Sequence, residues 1–498
     1  LTIAFAFAYL IACQQALETN KFCLAAGIGL LAGVIRMTNT WDYPTSLLLL
    51  FVTFFLGACI SISDARPNYN NNKASLFGVI GLAIFLSAVG SGGSTLIYIL
   101  GVVGILGGIS VFFNTKNQNR ILQFIGHFSI AIVAHTIFLW PYIRDTKNFN
   151  VGIHRAKWTS PLDDFMSHWG IFIAIGFMFF AVISFQSRME SKKYNVTVHF
   201  LPNVLRQNVW VKSLVIGVSM TGLAFCFLWV SGAFAITIFG GFCALFLIEH
   251  ECRNPNPDIG KLFALVMFIF GFAVVGGPEI ITVNNDVARM NTVFKFWLQG
   301  WLFFALGSAF AVHHIWDFVK SLQKSEESTL SNYRISPKML WRLFALAVVA
   351  IGLTYPLLAT KPRLSTRFDT GYKGLNGVAY LDYEPSIVRN DQGNQEAPTV
   401  VQIAEDLPLI EWIRSNVSGN PTIVEWSGDS YDWNSRIAIH TGLPTVLGWS
   451  SHQYQQRQKY ADWILQRRLD IQNFYTEATQ ETVTEFLLTY EVGYVIVG

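Results

Sequence analysis

The sequence predicts an α-helical polytopic membrane protein with about twelve transmembrane helices and a C-terminal soluble α/β domain. Its 498 residues are 52% hydrophobic and only 13% charged, with a mean hydropathy of +0.39. No ordinary soluble protein of this length has such a composition. Apolar runs recur at lengths near the roughly 20 residues that a helix needs to cross the hydrocarbon of a bilayer. Acidic residues, by contrast, concentrate near the C-terminus.

The distribution of charge predicts a domain boundary. Residues 360–498 carry 11 lysines and arginines against 17 acidic residues, a net charge of −6, whereas residues 1–359 carry 24 against 15, a net charge of +9. We therefore expect a transmembrane helical domain over 1–359 and a soluble domain over 360–498. The chain begins inside an apolar run and stops directly after a strand-like segment, so we also expect it to be a fragment.

The apolar runs are the predicted membrane spans, and the segments between them alternate sides. Segments that follow odd-numbered spans hold about 16 lysines and arginines, against about 7 in the others. Positive charge marks the cytoplasmic side, so the odd-numbered segments are predicted to be cytoplasmic. The twelve runs are 1–17, 22–35, 44–61, 74–90, 95–113, 121–140, 168–186, 212–230, 232–249, 261–277, 296–318 and 339–358.

This orientation places three polar segments and the C-terminal domain together on the outer side. The segments are the turn at 39–44, residues 141–167 and residues 276–295. The C-terminal domain is predicted to contain a helix at 405–415, and its other elements alternate between strands and helices, as in a sheet covered by helices. Those elements are strands at 421–425, 436–439 and 494–497, with helices near 453–466 and 478–490.

The segment 276–295 carries the strongest candidate site. A helix that begins near Asn291 presents free backbone N–H groups and the positive end of its dipole, and Arg289 and Lys295 lie beside that end, an arrangement suited to a phosphate. The alternative is that the two cations only contact lipid headgroups. They lie, however, on the side where positive charge is disfavoured. Glu279 and Asp286 lie beside them and could hold a divalent metal ion or act as a base.

The turn at 39–44 is the second candidate. Asp42 can cap the helix that follows it, and Trp41 is an aromatic residue of the kind found at membrane interfaces. A purely structural role is therefore open beside a functional one. In the segment 141–167, Asp163 and Asp164 are interpreted as acids in the first turn of a helix.

The C-terminal domain contributes a third group of candidates, which follow the predicted strand at 421–425. Loops that leave the carboxyl ends of strands are where open α/β sheets bind ligands. Aromatic and hydrogen-bonding side chains in these loops suit sugars or headgroups, although they could equally form a packed turn region. The candidates are Glu425, Asp429, Asp432, Arg436, His452 and Arg457.

These segments resemble a known family of prokaryotic membrane proteins. The resemblance is carried by Asn39–Pro44, by Arg289–Phe296 as its most specific part, by Gly374–Leu381 and by Arg436–Trp449 with the segments that follow. The family is named for a Tyr-Tyr-Tyr motif and is described as domain of unknown function 2298. It is similar to the GT-C membrane glycosyltransferases, although the family's Tyr-Tyr-Tyr-Phe-Gly-His string is absent from this chain.

The resemblance implies a glycosyltransferase that takes a sugar from a polyprenyl-phosphate donor at the outer face of a prokaryotic cytoplasmic membrane. Arg289, Lys295 and Asn291 would bind the lipid phosphate, and Asp42, Glu279 and Asp286 would orient an acceptor hydroxyl or a metal ion. Trp41 and the candidates of the C-terminal domain would bind the acceptor. The expected partners are membrane lipid, the lipid-linked sugar and other membrane subunits, with no nucleic acid. The alternative is a non-catalytic membrane subunit that docks a partner or a lipid.

Overall fold

The computed structural model describes residues 1–60, 118–145, 152–193, 230–326, 337–365, 374–389 and 399–497, apart from isolated positions within these ranges. The chain divides into two compact units. Unit 1 comprises Leu1–Arg144 and Asn150–Val348, and unit 2 comprises Asp145–Phe149 and Val349–Gly498. The division at Val348 and Val349 falls within a long helix.

Long apolar helices form most of unit 1. Seven helices among the described residues are long and apolar enough to cross a membrane, so the chain is a polytopic membrane protein. The predicted spans 74–90, 95–113 and 212–230 lie outside the described residues, and the total of twelve stays a prediction. The helices are α1 (Thr2–Gln14), α2 (Glu18–Thr38), α3 (Tyr43–Ile60), α4 (Gln118–Asp145), α5 (Leu162–Lys193), α6 (Gly232–Cys252), α7 (Ile259–Gly276), α8 (Met290–Glu326) and α9 (Pro337–Ser365).

Helix α7 lies at the centre of unit 1, where aromatic rings pack against it. The ring of Phe268 is fully buried and lies 5.5 Å from the ring of Phe180 and 6.0 Å from that of Phe304, distances typical of favourable aromatic pairs. At Gly271 a Cβ atom would lie 2.7 Å from the ring of Phe304. Glycine at this position therefore allows α8 to pack closely against α7.

Helices α2 and α4 also approach each other closely, at two glycines one turn apart. A Cβ atom on Gly29 would overlap the backbone of Ala131, and one on Gly33 would lie 3.4 Å from the carbonyl oxygen of His135. Both members of each pair advance by four residues, so the two helices run parallel. Small residues at this spacing let membrane helices come into backbone contact.

We expect Gly29→Ala to destabilise unit 1 by about 1–3 kcal/mol, because the added methyl group meets backbone that cannot move aside as a flexible side chain could. Thermal unfolding of the detergent-solubilised protein measures this loss. The matched control is Gly126→Ala on α4, where a Cβ atom would meet nothing within 4 Å. Alanine is the better helix former, so this control should be neutral or stabilising, and equal losses in both variants would contradict the close contact.

The described residues of unit 2 form two pairs of strands and several short helices. Strands β3 (Ser386–Arg389) and β4 (Thr399–Gln402) pair antiparallel, whereas β5 (Thr422–Val424) and β6 (Val492–Val495) pair parallel. The predicted strands at 421–425 and 494–497 correspond to β5 and β6. The helices are α10 (Tyr380–Tyr383), α11 (Asp406–Asn416), α12 (Arg436–Thr441), α13 (Ser450–Gln456), α14 (Ala461–Thr476) and α15 (Gln480–Thr489).

The prediction of a strand at 436–439 is wrong, because these residues form helix α12. A strand would place Ile437 and Ile439 on the same face, but Ile437 is fully buried and Ile439 is 62% exposed. Ser435, in the left-handed region at φ 64°, precedes the helix, and Gly442 at φ 77° ends it. The apolar alternation of the sequence therefore comes from one short amphipathic helix.

Candidate functional site

The polar segments predicted to share one side of the membrane meet at one end of unit 1. Strand β1 (Ile153–Arg155) pairs antiparallel with β2 (Ile281–Val283). From α8, the Gln299 side chain donates to the Asp42 carboxylate over 2.8 Å. We call this the polar end of unit 1. Helices α3, α5, α6 and α8 begin there, and α7 ends there.

Glu279 is the most deeply buried carboxylate of the polar end, with 1% of its surface exposed. Its two oxygens accept hydrogen bonds from the backbone N–H of Ser160 (3.0 Å), the Ser160 hydroxyl (2.8 Å), the Ser231 hydroxyl (2.8 Å) and the Arg289 guanidinium (2.9 Å). The second terminal nitrogen of Arg289 donates to the Ser160 hydroxyl over 2.9 Å. We call these four residues the Glu279 cluster.

The positions of the helix ends explain why a carboxylate is stable in this buried place. Ser160 lies just before α5, Ser231 caps α6 by accepting from the N–H of Phe234, and Arg289 lies just before α8. Two helix N-termini, those of α5 and α6, thus lie beside Glu279 with their partial positive charge. Arg289, whose side chain is 13% exposed, supplies the full countercharge. The cluster therefore joins three helices to the segment that leaves α7.

Asp286 caps the start of α8. One carboxylate oxygen accepts from the backbone and side-chain amides of Asn291, both at 2.9 Å, and the other from the backbone N–H and hydroxyl of Thr292, at 2.8 and 2.6 Å. Partial burial acts to raise the pKa of Asp286, but these hydrogen bonds outweigh it and hold the pKa below its ordinary value. The prediction of a helix start near Asn291 is therefore confirmed.

Asp42 has different surroundings, because two amide side chains and a more distant cation face it. Its carboxylate accepts from Gln299, and its backbone carbonyl caps α3 by accepting from Ser46. Burial raises the pKa of Asp42, and the hydrogen bonds from Asn39 and Gln299 together with the charge of Lys295 offset this only in part. Asp42 is thus a half-buried carboxylate that holds its proton more tightly than an ordinary aspartate.

Aromatic rings flank the Asp42 turn on both sides. The ring of Trp41 lies edge-on to that of Phe296 at 6.1 Å. On the other side, the Tyr43 ring stacks on the His135 ring, and their polar atoms lie 3.1 Å apart. The Arg36 guanidinium lies 4.9 Å from the centre of the Tyr43 ring. Rings and the Arg36 cation thus border the turn that carries Asp42.

Lys295 lies on α8 one turn before Gln299. Its ammonium group is 5.1 Å from the centre of the Phe294 ring and acts electrostatically on Asp42. Unlike Arg289, it has no carboxylate within salt-bridge distance among the ion pairs of the described residues. Arg289 is therefore committed to a buried carboxylate, whereas Lys295 is half-buried near Asp42.

The candidates of unit 2 fall into two local groups. Glu425 is buried and accepts from the backbone N–H groups of Ile437 (3.1 Å) and Ala438 (3.0 Å), and burial raises its pKa. Arg436 donates to Asp406 over 2.7 Å. The remaining described candidates, His452 and Arg457, lie on or next to α13, where His452 packs against Trp449 and Arg457 donates to Gln453. Asp429 and Asp432 lie outside the described residues.

Neither Glu279 nor Asp286 fits a divalent metal ion. Each oxygen of both carboxylates already accepts two or more N–H or O–H groups, and a metal would have to displace these donors. Among the described residues, no group of three or more histidine, cysteine, aspartate and glutamate side chains is arranged to hold a metal.

Several residues of the polar end were not predicted from the sequence. Ser231 and Gln299 lie at the edge of or inside apolar runs, where a single polar residue is unremarkable. The glutamine in particular could have been noticed, because an amide within a membrane helix is uncommon and usually has a polar partner.

Comparison with protein families matches residues 1–304 to the uncharacterized membrane proteins described as DUF2298. No curated protein and no solved structure matches the chain. The matched region covers more than half of the 498 residues and contains the whole polar end, including Asp42, the Glu279 cluster and Gln299. The chain therefore belongs to the DUF2298 family of membrane proteins.

Proposed function

We propose that the chain is a membrane glycosyltransferase of the GT-C type. It would transfer a sugar from a polyprenyl-phosphate donor to an acceptor at the outer membrane face. The observation that carries this proposal is the position of the half-buried cation Lys295, one turn before the Gln299 that binds the half-buried carboxylate Asp42, at one end of a membrane-spanning unit. A base beside a phosphate-binding cation is what sugar transfer from a lipid phosphate requires.

Exposed apolar side chains near Lys295 support a lipid substrate. On α8, Phe294 is 48% exposed, Leu298 is 70% exposed and Trp301 is 47% exposed. A polyprenyl chain could lie against such a surface while its phosphate reaches the ammonium group of Lys295. Apolar side chains next to a polar end provide the amphipathic environment that a lipid phosphate needs.

Within this proposal the candidate residues take different roles. Asp42 activates the acceptor hydroxyl as a base, and Lys295 binds the phosphate. Arg289, Asn291, Glu279 and Asp286 fix the start of α8, and so the position of Lys295, through the hydrogen bonds that they share. Acceptor binding by Trp41 and by the candidates of unit 2 stays a prediction.

We expect Lys295→Glu to raise the KM for a polyprenyl-phosphate hexose by at least about tenfold, because it replaces a charged hydrogen-bond donor with a repelling carboxylate. The assay follows release of radiolabelled sugar from this donor by the full chain in liposomes. Lys320→Glu is the matched control, since Lys320 lies on the same helix and pairs with Asp317, far from the polar end. An unchanged KM in the Lys295 variant would remove the phosphate role.

A non-catalytic membrane subunit is the second candidate, and a specific observation favours it. Glu279, Asp286 and Arg289 satisfy one another or the neighbouring backbone. In addition, none of the residues in the apolar stretch of helix α9 is buried. This stretch therefore has surface available for another membrane protein. Absence of donor turnover by the wild-type chain, with the protein folded and embedded, would favour this role.

A further inference from the structure

Gln299 is a buried amide whose oxygen has no hydrogen-bond partner among the described residues. Only 9% of its surface is exposed. Its Nε2 donates to the Asp42 carboxylate over 2.8 Å and to the Trp41 carbonyl oxygen over 3.3 Å. Its Oε1 is buried and has no hydrogen-bond partner among the residues that the structure describes.

The orientation of this amide follows from its neighbours. A backbone carbonyl can only accept a hydrogen bond, so the Trp41 carbonyl requires the NH₂ group of Gln299 on its side. The carboxylate of Asp42 favours the same choice. Rotating the amide by half a turn would place three acceptor oxygens together. The unpartnered atom of Gln299 is therefore its oxygen Oε1 and not its nitrogen.

Buried acceptors in proteins are almost always satisfied, and an unsatisfied one marks a place where a ligand or an ordered water can donate a hydrogen bond. The partner must donate, so it carries an O–H or N–H group. It also lies beside aromatic surface, because the rings of Trp41 and Phe296, 6.1 Å apart, border the turn that Gln299 contacts. A sugar ring meets these requirements, since it offers hydroxyl groups around its edge and apolar C–H faces to aromatic rings.

The spacing along α8 adds a second constraint. Lys295 and Gln299 are four residues apart, so they lie on the same face of the helix about 6 Å from each other. A sugar phosphate has its anionic group and its ring hydroxyls at a comparable separation. One ligand can therefore contact both side chains at the same time.

We propose that Gln299 is a sugar-binding residue, whose Oε1 accepts a hydrogen bond from a hydroxyl of the hexose while Lys295 binds the phosphate of the same lipid-linked molecule. The ligand's identity as a lipid-linked sugar rests on the proposed function. In this arrangement the Asp42–Gln299 hydrogen bond positions the amide, and the hexose meets the enzyme next to the base.

Binding of two probes to the full chain in nanodiscs tests this assignment. The probes are a polyprenyl-phosphate hexose and the same polyprenyl phosphate without its sugar. Wild-type protein should bind the hexose probe about three- to tenfold more tightly, the contribution of one neutral hydrogen bond. Gln299→Met should abolish this preference and leave the affinity for the sugar-free probe unchanged.

Two further variants guard against a merely structural effect. Gln299→Asn keeps an amide at this position but shortens its reach by one methylene group, and it should lower the preference even if the methionine variant fails to fold. Gln186→Met removes a comparable helix glutamine, which bonds to His314 over 2.8 Å, and should bind both probes as the wild type does. A hexose preference that survives Gln299→Met, or is absent from the wild type, overturns the assignment.

Turnover separates this inference from the proposed function. If the hexose preference depends on Gln299 but no sugar is transferred, the binding residue stands and the transferase does not. If sugar is transferred and the KM of the Gln299→Met variant equals that of the wild type, the transferase stands and an ordered water, rather than the sugar, occupies Oε1.

Discussion

Glu279→Gln should destabilise the protein by about 3–5 kcal/mol, the usual cost of removing one partner from a buried ion pair. The substitution leaves the Arg289 guanidinium beside a neutral amide and weakens the bonds from Ser160 and Ser231, which end on the same two oxygens. The measurement is thermal or denaturant unfolding of the protein in detergent, followed by circular dichroism.

A double-mutant cycle shows whether the pair is responsible. Glu279→Ala with Arg289→Ala removes both charges, so the double variant should lose less stability than the sum of the single losses. Asp317→Asn at the opposite end of α8 removes exposed ion pairs and should leave the unfolding midpoint unchanged. Additive losses within the cycle would show that the two side chains do not interact.

Asp42→Asn should lower kcat for sugar transfer by about 10²–10⁴-fold, the usual contribution of a general base, with little change in KM. The asparagine keeps the shape of the side chain and its bond to Gln299 but cannot accept a proton from the acceptor hydroxyl. Asp163→Asn is the control, since Asp163 is an exposed carboxylate in the first turn of α5. If the Asp42 variant kept full turnover, Asp42 could not be the base.

The raised pKa of Asp42 adds two pH signatures. A base works only when it is deprotonated, so kcat/KM should increase with pH around a pKa above the ordinary value of 3.8. The folded state also holds this proton more tightly than the unfolded chain does. Stability should therefore fall as the pH rises from the ordinary value through the raised pKa, and Asp42→Asn should abolish that part of the fall.

The gathering of the polar segments could be predicted from the sequence, whereas their pairings could not. Alternation of spans and the count of cations were sufficient to place the turn at 39–44 and the segments 141–167 and 276–295 on one side, and their contacts in unit 1 agree. Which carboxylate pairs with which cation depends on how each helix is rotated about its axis. The hydropathy pattern locates the spans but does not report this rotation. Arg289 was therefore assigned to a phosphate, although the structure pairs it with Glu279.

Short secondary-structure elements were also difficult to predict from the sequence. The isoleucines at 437 and 439 alternate with smaller residues, as in a strand, and six residues are too few for a helical period to be distinguished from it. The deciding contacts are long-range, because Glu425 binds the first N–H groups of α12. Gln299 could be noticed as an amide within a membrane helix, but its partner could not be predicted, since the contact is with a turn 257 residues earlier in the chain.

The Glu279 cluster also has a consequence for how the protein is made. Ser160 precedes Glu279 by 119 residues and Ser231 precedes it by 48, and a chain emerges from the ribosome N-terminus first. Helices α5 and α6 therefore emerge before Glu279, their common partner. The fourth member of the cluster, Arg289, follows with the start of α8. The cluster can therefore form only after that residue has emerged.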